Sequence, residues 1–275
     1  MAELAVSTWS LHRELGPMYR GLDPYAAART PDLTYGPGTL DLLDAPALAA
    51  TMGVRKLEIC HFHFPRTDAA YLAELRQRLA SAGVSFYTLL VDEGDITAQH
   101  PQERRRTLDL IRAWIDVAAA AGAQRVRVIA GRMVAAPDGT AVRRSIEGLL
   151  ELVGYGRERS VEVVTENWLE LTREPKDLLA ILDGAGGAVG LCADFGNYDG
   201  PAKYDDLAAI LPRASSIHAK AAYTAPGVPH QADFDHCLQL ARATGFDGAY
   251  VLIFDSPGDE RTNLMQLAEL VRPYL

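Results

Sequence analysis

The stretch Val161–Trp168, VEVVTENW, decides the fold. Val161, Val163, Val164 and Thr165 form a β-branched run that predicts a strand, and the run ends abruptly in a carboxylate, an amide and an indole. A charge at the tip of a buried strand is costly unless something pairs with it, so Glu166 needs partners. Two further stretches repeat the pattern. Val189–Asn197, VGLCADFGN, carries Asp194 at its tip, and Ala214–Lys220, ASSIHAK, ends in His218 and Lys220. Three short apolar strands, each ending in a metal-type ligand and about one βα unit apart, predict neighbouring strands of a parallel barrel whose tips converge.

The rest of the chain extends the pattern in both directions. Strands are expected at Leu4–Trp9, Arg55–Cys60, Val84–Val91, Arg125–Ala130, Val161–Glu166, the segment leading to Asp194, Ser216–Ala219 and Ala249–Phe254. Helical segments alternate with them. Pro46 and Pro175 sit in first turns, and Gly83 and Gly122 follow last turns. Strands joined by helices need right-handed crossovers and a parallel sheet. Eight such units favour a closed (β/α)8 TIM barrel over an open sheet, because STWSLH after strand one is nothing like GxGxxG. No composition break interrupts the chain, so residues 1–275 are expected to form one domain. The segment Arg13–Leu40, rich in Gly, Pro and Tyr, is long for a connection and is expected to be a lid over the strand tips.

Composition narrows the function. The chain is 48% hydrophobic and 23% charged, enough apolar material for a large core. A net charge of −9 argues against nucleic acid, which needs a basic face. Cys60, Cys192 and Cys237 are widely spaced and form no CxxC pair, which fits a reducing compartment. No basic-then-apolar leader opens the chain, and no apolar run approaches the ~20 residues of a membrane span. The expected setting is cytoplasmic, with no membrane partner.

In such barrels the chemistry sits at the C-terminal ends of the strands. Glu166, Asp194 and His218 make a mixed oxygen and nitrogen set suited to one divalent ion: Mn, Mg, Co, Fe or Zn. Lys220 is a candidate catalytic or anion-holding group. Trp9 and His12 after strand one, His61 and His63 after strand two, Arg132 after strand four and Asp255 after strand eight are candidate substrate contacts. His61 and His63 share strand parity, as do Ile253 and Asp255. Arg132 is the candidate phosphate clamp, and Glu58 is a candidate orienter of a metal ligand.

The chain resembles the xylose-isomerase-like TIM barrels, often described as sugar phosphate isomerases and epimerases. The resemblance rests on STWSLHR, LLVDEGDI, RVRVIAGR, the TENW, CADFGN and IHAK tips, and GFDGAYVLIFD, and it covers nearly the whole sequence. It implies metal ligands Glu, Asp, His and Glu from strands five to eight, of which the first three fall on Glu166, Asp194 and His218. The fourth falls on Ile253, so the two-glutamate epimerisation that the resemblance implies lacks one of its bases. Asp255, His61 or His63 can complete the set, or the metal can keep three protein ligands and an open position.

These readings predict a metal-dependent sugar, polyol or sugar phosphate isomerase or epimerase working by proton abstraction through an enediolate, with Glu166 as ligand and base. A dehydratase acting on a keto-polyol in the same site is the alternative within enzymes. A non-catalytic small-molecule-binding barrel is the alternative outside them, because of Ile253. The expected partner is a small sugar or polyol, with a homodimer as the common assembly of such barrels.

Overall fold

The computed structural model describes residues 2–21, 23–26 and 30–275. Eight parallel strands close a barrel in the order β1 (Glu3–Ser7), β8 (Ala249–Ile253), β7 (Ala214–Lys220), β6 (Gly190–Asp194), β5 (Glu162–Glu166), β4 (Arg125–Val128), β3 (Ser85–Val91) and β2 (Lys56–Cys60), and β2 pairs back to β1. Helices fill the crossovers: α2 (Ala45–Thr51), α3 (Ala69–Ala82), α4 (Pro101–Ala121), α5 (Thr140–Arg157), α6 (Pro175–Gly184), α7 (Lys203–Ile210), α8 (Gln231–Ala243) and α9 (Glu260–Val271). A single turn, α1 (His12–Leu15), precedes α2. This is the (β/α)8 TIM barrel expected from the alternation.

Local chemistry sets the helix ends. The Asp68 and Asp259 side chains accept from the backbone N–H groups of Tyr71 and Thr262, satisfying donors the first turns leave open. Gly83 and Gly122 end α3 and α4 with φ of 62° and 82°, a left-handed turn that costs glycine no steric penalty.

Strand parity divides the interior into two layers. Val6, Leu57, Leu89, Val126, Val163, Leu191, Ile217 and Leu252 point outward and pack under the helices in the main core. Alternate residues point to the axis. Ala5, Tyr87, Ala249, Val251 and Ile253 form a separate apolar cluster there. Lys56 and Arg125 lie 4.7 and 4.5 Å from the Tyr87 ring centre, partnering that ring with two cations. Nearer the C-terminal ends the axis turns polar, with Glu58, Arg127, Glu166, Asp194 and His218 all buried.

Strand one ends earlier than the sequence reading has it, and strand two ends where expected but turns at once. Strand one stops at Ser7, and residues 8–11 form a 3₁₀ turn whose Trp9 N–H donates to the Ser7 hydroxyl. Strand two stops at Cys60, and His61–His63 is another 3₁₀ turn. A three-residue period replaces the two-residue alternation there, so parity no longer predicts where a side chain points. The connection after β7 folds into a small hairpin, Tyr223–Ala225 with Val228–Pro229. The segment expected to be a lid is pinned at its neck by a Met18–Asp32 bridge, and positions 22 and 27–29 of it lie outside the described residues.

Candidate active site and metal centre

The site forms where β5, β6 and β7 end. Register sets Glu166 beside Cys192 and Asp194 beside His218, so the three site side chains leave adjacent strands toward the axis. One ligand atom from each of Glu166, Asp194 and His218 lies within 4.8 Å of the others, and all three residues are buried. His218 Nδ1 is 3.5 Å from Glu166 Oε1 and 3.4 Å from Asp194 Oδ2. His218 Nε2 donates to Glu58 Oε2 at 2.9 Å. A carboxylate only accepts, so this bond keeps a proton on Nε2 and turns Nδ1 toward the two acids.

Neighbouring side chains hold the acids in place. The Asn167 amide brackets Asp194, donating to its carbonyl at 3.0 Å and accepting from its N–H at 2.7 Å. Asp194 Oδ1 accepts from the Gly196 N–H at 2.6 Å. A Cβ at Gly196 would lie 2.8 Å from Lys220 Cδ, so this turn packs closely on the lysine stem. Asn197 Nδ2 donates to Glu166 Oε1 at 2.9 Å.

Arg127 supplies the largest feature that the sequence reading missed. It is buried in β4, with Nε 3.0 Å from Glu166 Oε2 and Nη2 donating to Asp92 Oδ1 at 2.5 Å. Its guanidinium lies 5.1 Å from the centre of the Trp168 ring. Despite the short Nε–Oε2 distance, neither atom has an aligned hydrogen bond. The contact is an ion pair with poor hydrogen-bond geometry, and Oε2 keeps unused accepting capacity in a buried site. The signal was present in RVRV, where Arg125 and Arg127 occupy alternate positions of a strand expected to be buried.

These contacts set the charge states. Burial works to raise the Glu166 pKa, but the Arg127 and His218 charges outweigh it and hold the carboxyl below the usual range. Burial works to lower the His218 pKa, but the Cys192, Glu166 and Glu58 side chains around the ring lift it well above 6.5. Lys220 Nζ lies 2.9 Å from Asp255 Oδ2. Burial opposes its charge, yet Asp194 and Asp255 leave its pKa raised, so the ammonium stays protonated. Burial raises the Cys192 thiol pKa, which makes it a poor nucleophile.

A cavity of about 400 Å³ opens above the cluster. Glu166, Asp194, His218, Lys220, Asp255, Arg132 and Trp9 all line it, as do Arg127, Asn197 and Trp168, which the sequence reading did not place there. Arg132 is held rigidly, donating from Nε to the Gly94 carbonyl at 3.0 Å and from Nη2 to the Asp92 carbonyl at 2.8 Å. Asp92 lines the cavity and pairs with Arg127.

Three histidines expected to contact substrate are not brought into that lining. His12 Nδ1 is 2.5 Å from the Trp9 carbonyl oxygen, and its ring stacks behind Trp9 at 4.6 Å between centres. His63 Nδ1 bonds the Thr8 hydroxyl at 2.8 Å, and burial, reinforced by His12 and His61, lowers its pKa to about 3, so it is neutral. His61 Nδ1 accepts from the Asp92 N–H at 3.3 Å, with its ring edge-on to Trp114. All three are buried, and among the described residues no metal-type group includes them or Asp255. The two 3₁₀ turns are the reason, since each rotates its histidines off the axial face.

Two carboxylates and an imidazole converging in a buried pocket, with an under-used carboxylate oxygen and a carboxylate-oriented histidine, have the donor chemistry of a divalent-cation site. A closed eight-stranded barrel with such a set at its C-terminal rim defines the class: a TIM barrel whose rim could hold a metal ion. The family model described as xylose isomerase-like TIM barrel matches residues 46–274, and the chain belongs to that family. No curated protein sequence matches the chain. Solved structures share the fold at low identity. A D-allulose 3-epimerase from Methylomonas sp. is 16% identical with a TM-score of 0.70, covering 100% of this chain and 98% of its own. D-psicose 3-epimerase from Clostridium cellulolyticum H10, solved with D-tagatose, is 11% identical with a TM-score of 0.70, covering 99% of each. A xylose isomerase-like TIM barrel protein from Mycobacterium smegmatis in complex with magnesium is 16% identical with a TM-score of 0.68, covering 99% of this chain and 97% of its own. At these identities the neighbours show the shared fold. Among the described residues no helix is long and apolar enough to cross a membrane.

Proposed function

We propose that the chain is a divalent-metal-dependent enzyme that moves one proton next to the carbonyl of a small sugar or keto-polyol, from one face of the substrate. The observation that carries this reading is the convergence of Glu166, Asp194 and His218 within 4.8 Å beneath the cavity. A cavity of about 400 Å³ suits a substrate of monosaccharide size. Glu166, Asp194 and His218 would hold the ion, which when bound supplies a Lewis acid for adjacent carbonyl and hydroxyl oxygens and acidifies the neighbouring C–H.

The chain's own residues then divide the work. Glu58 fixes the His218 tautomer, and Asn167 fixes the Asp194 backbone. Glu166, kept ionised beside Arg127, accepts the proton. Ile253 lines the same cavity and has no proton to give, so a second carboxylate for two-face epimerisation is missing from strand eight. An aldose–ketose shift on one face needs only the first base. Lys220 supports a second reading. A protonated ammonium on the cavity wall can donate to a leaving hydroxyl, which would make the reaction a dehydration.

The test is metal content by mass spectrometry of the native protein, Glu166→Ala and His218→Ala, followed by NMR of candidate sugars in deuterated water. Bound metal lost in both variants, with deuterium entering next to a carbonyl, supports the proposal. A native protein that takes up no metal after reconstitution overturns it.

A further inference from the structure

Arg20, Arg127, Arg132 and Lys220 line the cavity, and three of these cations are already paired. Arg20 Nε lies 3.1 Å from Asp32 Oδ2, Arg127 Nη2 2.5 Å from Asp92 Oδ1 and Lys220 Nζ 2.9 Å from Asp255 Oδ2. Among the described residues, Arg132 alone of the four has no carboxylate at its guanidinium. Acids are not lacking nearby, because Asp92, Glu93 and Asp95 all follow β3 beside it, yet each is turned elsewhere. Asp92 takes Arg127, and Glu93 accepts the Gly21 N–H at 3.1 Å. Asp95 Oδ1 accepts the Thr97 N–H at 2.9 Å, the Thr97 hydroxyl at 2.6 Å and the backbone N–H of Arg132 itself at 3.2 Å.

The chain around Arg132 is built closely. A Cβ at Gly131 would lie 2.5 Å from Thr97 Cγ2 and 2.7 Å from Leu171 Cδ2, so a glycine is needed for the backbone to pass that near the loop after β3. Arg132 then donates from Nε to the Gly94 carbonyl at 3.0 Å and from Nη2 to the Asp92 carbonyl at 2.8 Å. Both donors belong to one edge of the planar guanidinium. Its end edge, where an Nη1–H and an Nη2–H stand side by side, keeps its bonding capacity. That edge matches the two oxygens of a carboxylate with parallel hydrogen bonds. The two carbonyls hold the group before a ligand arrives, which limits the ordering cost of binding.

From this arrangement we infer that Arg132 is a carboxylate subsite and that the substrate is a hydroxy-keto acid. Its carbonyl end lies toward Glu166, Asp194 and His218, and its carboxylate takes the free edge of Arg132 in the same cavity. This rests on the proposed metal-dependent reading and adds a second anchoring point that selects a substrate class within it. One unpaired positive charge balances one carboxylate. A phosphate monoester carries a charge of about −1.5 to −2 and would stay partly uncompensated there. A neutral chain end gains no charge-assisted bond from the fork.

Matched probes without stereocentres test the inference. δ-Hydroxylevulinate, its methyl ester and dihydroxyacetone phosphate all carry a hydroxyketone end and differ in the charge of the far end. The readout is phenylglyoxal labelling of Arg132, located by peptide mass spectrometry, with the other exposed arginines as internal reference. Mn²⁺ binding is titrated first, by the electron paramagnetic resonance of the free ion, and labelling is followed with and without the ion. Failure of Mn²⁺ to bind sinks the metal reading, while protection of Arg132 without the ion still judges the carboxylate subsite. The expectation is that the acid slows Arg132 labelling at about tenfold lower concentration than the ester, and at lower concentration than the phosphate. By calorimetry, Arg132→Gln should bring acid and ester to similar affinity, and Arg132→Lys, which keeps the charge without the fork, should retain part of the preference. A role in bracing the loop alone would weaken acid and ester equally. Equal protection by acid and ester, no protection by the acid, stronger protection by the phosphate, or an acid preference that survives Arg132→Gln overturns the inference while leaving the metal reading in place.

Discussion

Replacing Glu58 should weaken metal binding although Glu58 is not one of the three converging ligands. Its carboxylate lies 2.9 Å from His218 Nε2, and both side chains are almost wholly buried, at 1% and 5% exposure. Glu58→Leu removes the acceptor and leaves a buried N–H without a partner. The imidazole is then free to place its proton on Nδ1, the nitrogen that faces Glu166 and Asp194. A hydrogen bond to a charged group contributes about 1.5–3 kcal/mol, so the variant should lose roughly ten- to a hundredfold in metal affinity. Glu58→Gln keeps an accepting oxygen without charge and should lose about tenfold or less. The assay is competition for Mn²⁺ or Co²⁺ against a chromophoric chelator, with urea unfolding to confirm that each variant is folded. Native affinity in a folded Glu58→Leu, under conditions where Glu166→Ala no longer binds metal, would refute the orienting role.

Four further outcomes follow from the same contacts. Metal binding should release a proton near neutral pH, because His218 without metal has a raised pKa and a ligating Nδ1 must be bare; calorimetry in buffers of different ionisation enthalpy counts that proton, and zero release contradicts the assignment. Without metal, the two shifts act in opposite pH windows. The raised His218 pKa stabilises the fold below 6.5, a contribution lost as pH climbs through the folded value, while the lowered Glu166 pKa stabilises it above about 4.5, a contribution lost as pH falls toward about 2. The metal-free protein should therefore lose stability on both sides of that range, and a flat urea midpoint from pH 3 to 9 would contradict it. Arg127→Met should cost about 3–5 kcal/mol in urea unfolding by leaving buried Glu166 and half-buried Asp92 short of a counter-ion, with part of the loss recovered in Arg127→Met/Asp92→Asn; equal stability of all three proteins would remove Arg127 from the charge balance. His63→Gln should keep native metal stoichiometry, because His63 bonds Thr8 outside the cavity lining, and loss of metal in a folded variant would restore it as a ligand.

The sequence reading succeeded where a residue's direction follows from strand alternation. Glu166, Asp194 and His218 are the last or near-last members of β5, β6 and β7, and the two-residue period carries them to the axis together. Glu58 was reachable the same way, as an interior position of β2. His12, His61 and His63 lie outside the cavity lining because each follows the last residue of its strand and falls in or just after a 3₁₀ turn, where the period changes. Nothing in STWSLHR or CHFHFP marks that change. It depends on contacts from elsewhere, such as the Thr8 hydroxyl that accepts the Cys60 N–H at 3.0 Å and also bonds His63. Arg127 went unnoticed for a different reason. An arginine in a strand is normally a surface residue, and only closure of the barrel sets it between Asp92 of the neighbouring strand end and Glu166.

Ile253 on strand eight is best understood together with Arg127. Ile253 leaves strand eight without a charge in the axial layer, and Arg127 sets one positive charge beside Glu166. Ion pairs inside the cavity then balance in sets: Lys220 with Asp255, Arg127 with Asp92, and Glu166 with Asp194 facing whatever cation occupies the cluster. A dication there is neutralised by two carboxylates, and a fourth, anionic ligand would leave the layer negative again. Without metal, Arg127 and a protonated His218 serve Glu166 instead. Placing a carboxylate on strand eight by Ile253→Glu should therefore raise metal affinity only when Arg127 is kept. In Arg127→Met/Ile253→Glu two uncompensated acids would share the buried layer, and the fold should lose stability before the site gains a ligand. Chelator competition and urea unfolding on the two variants separate these outcomes, and a stable, tight-binding Arg127→Met/Ile253→Glu would show that the guanidinium and the isoleucine are independent.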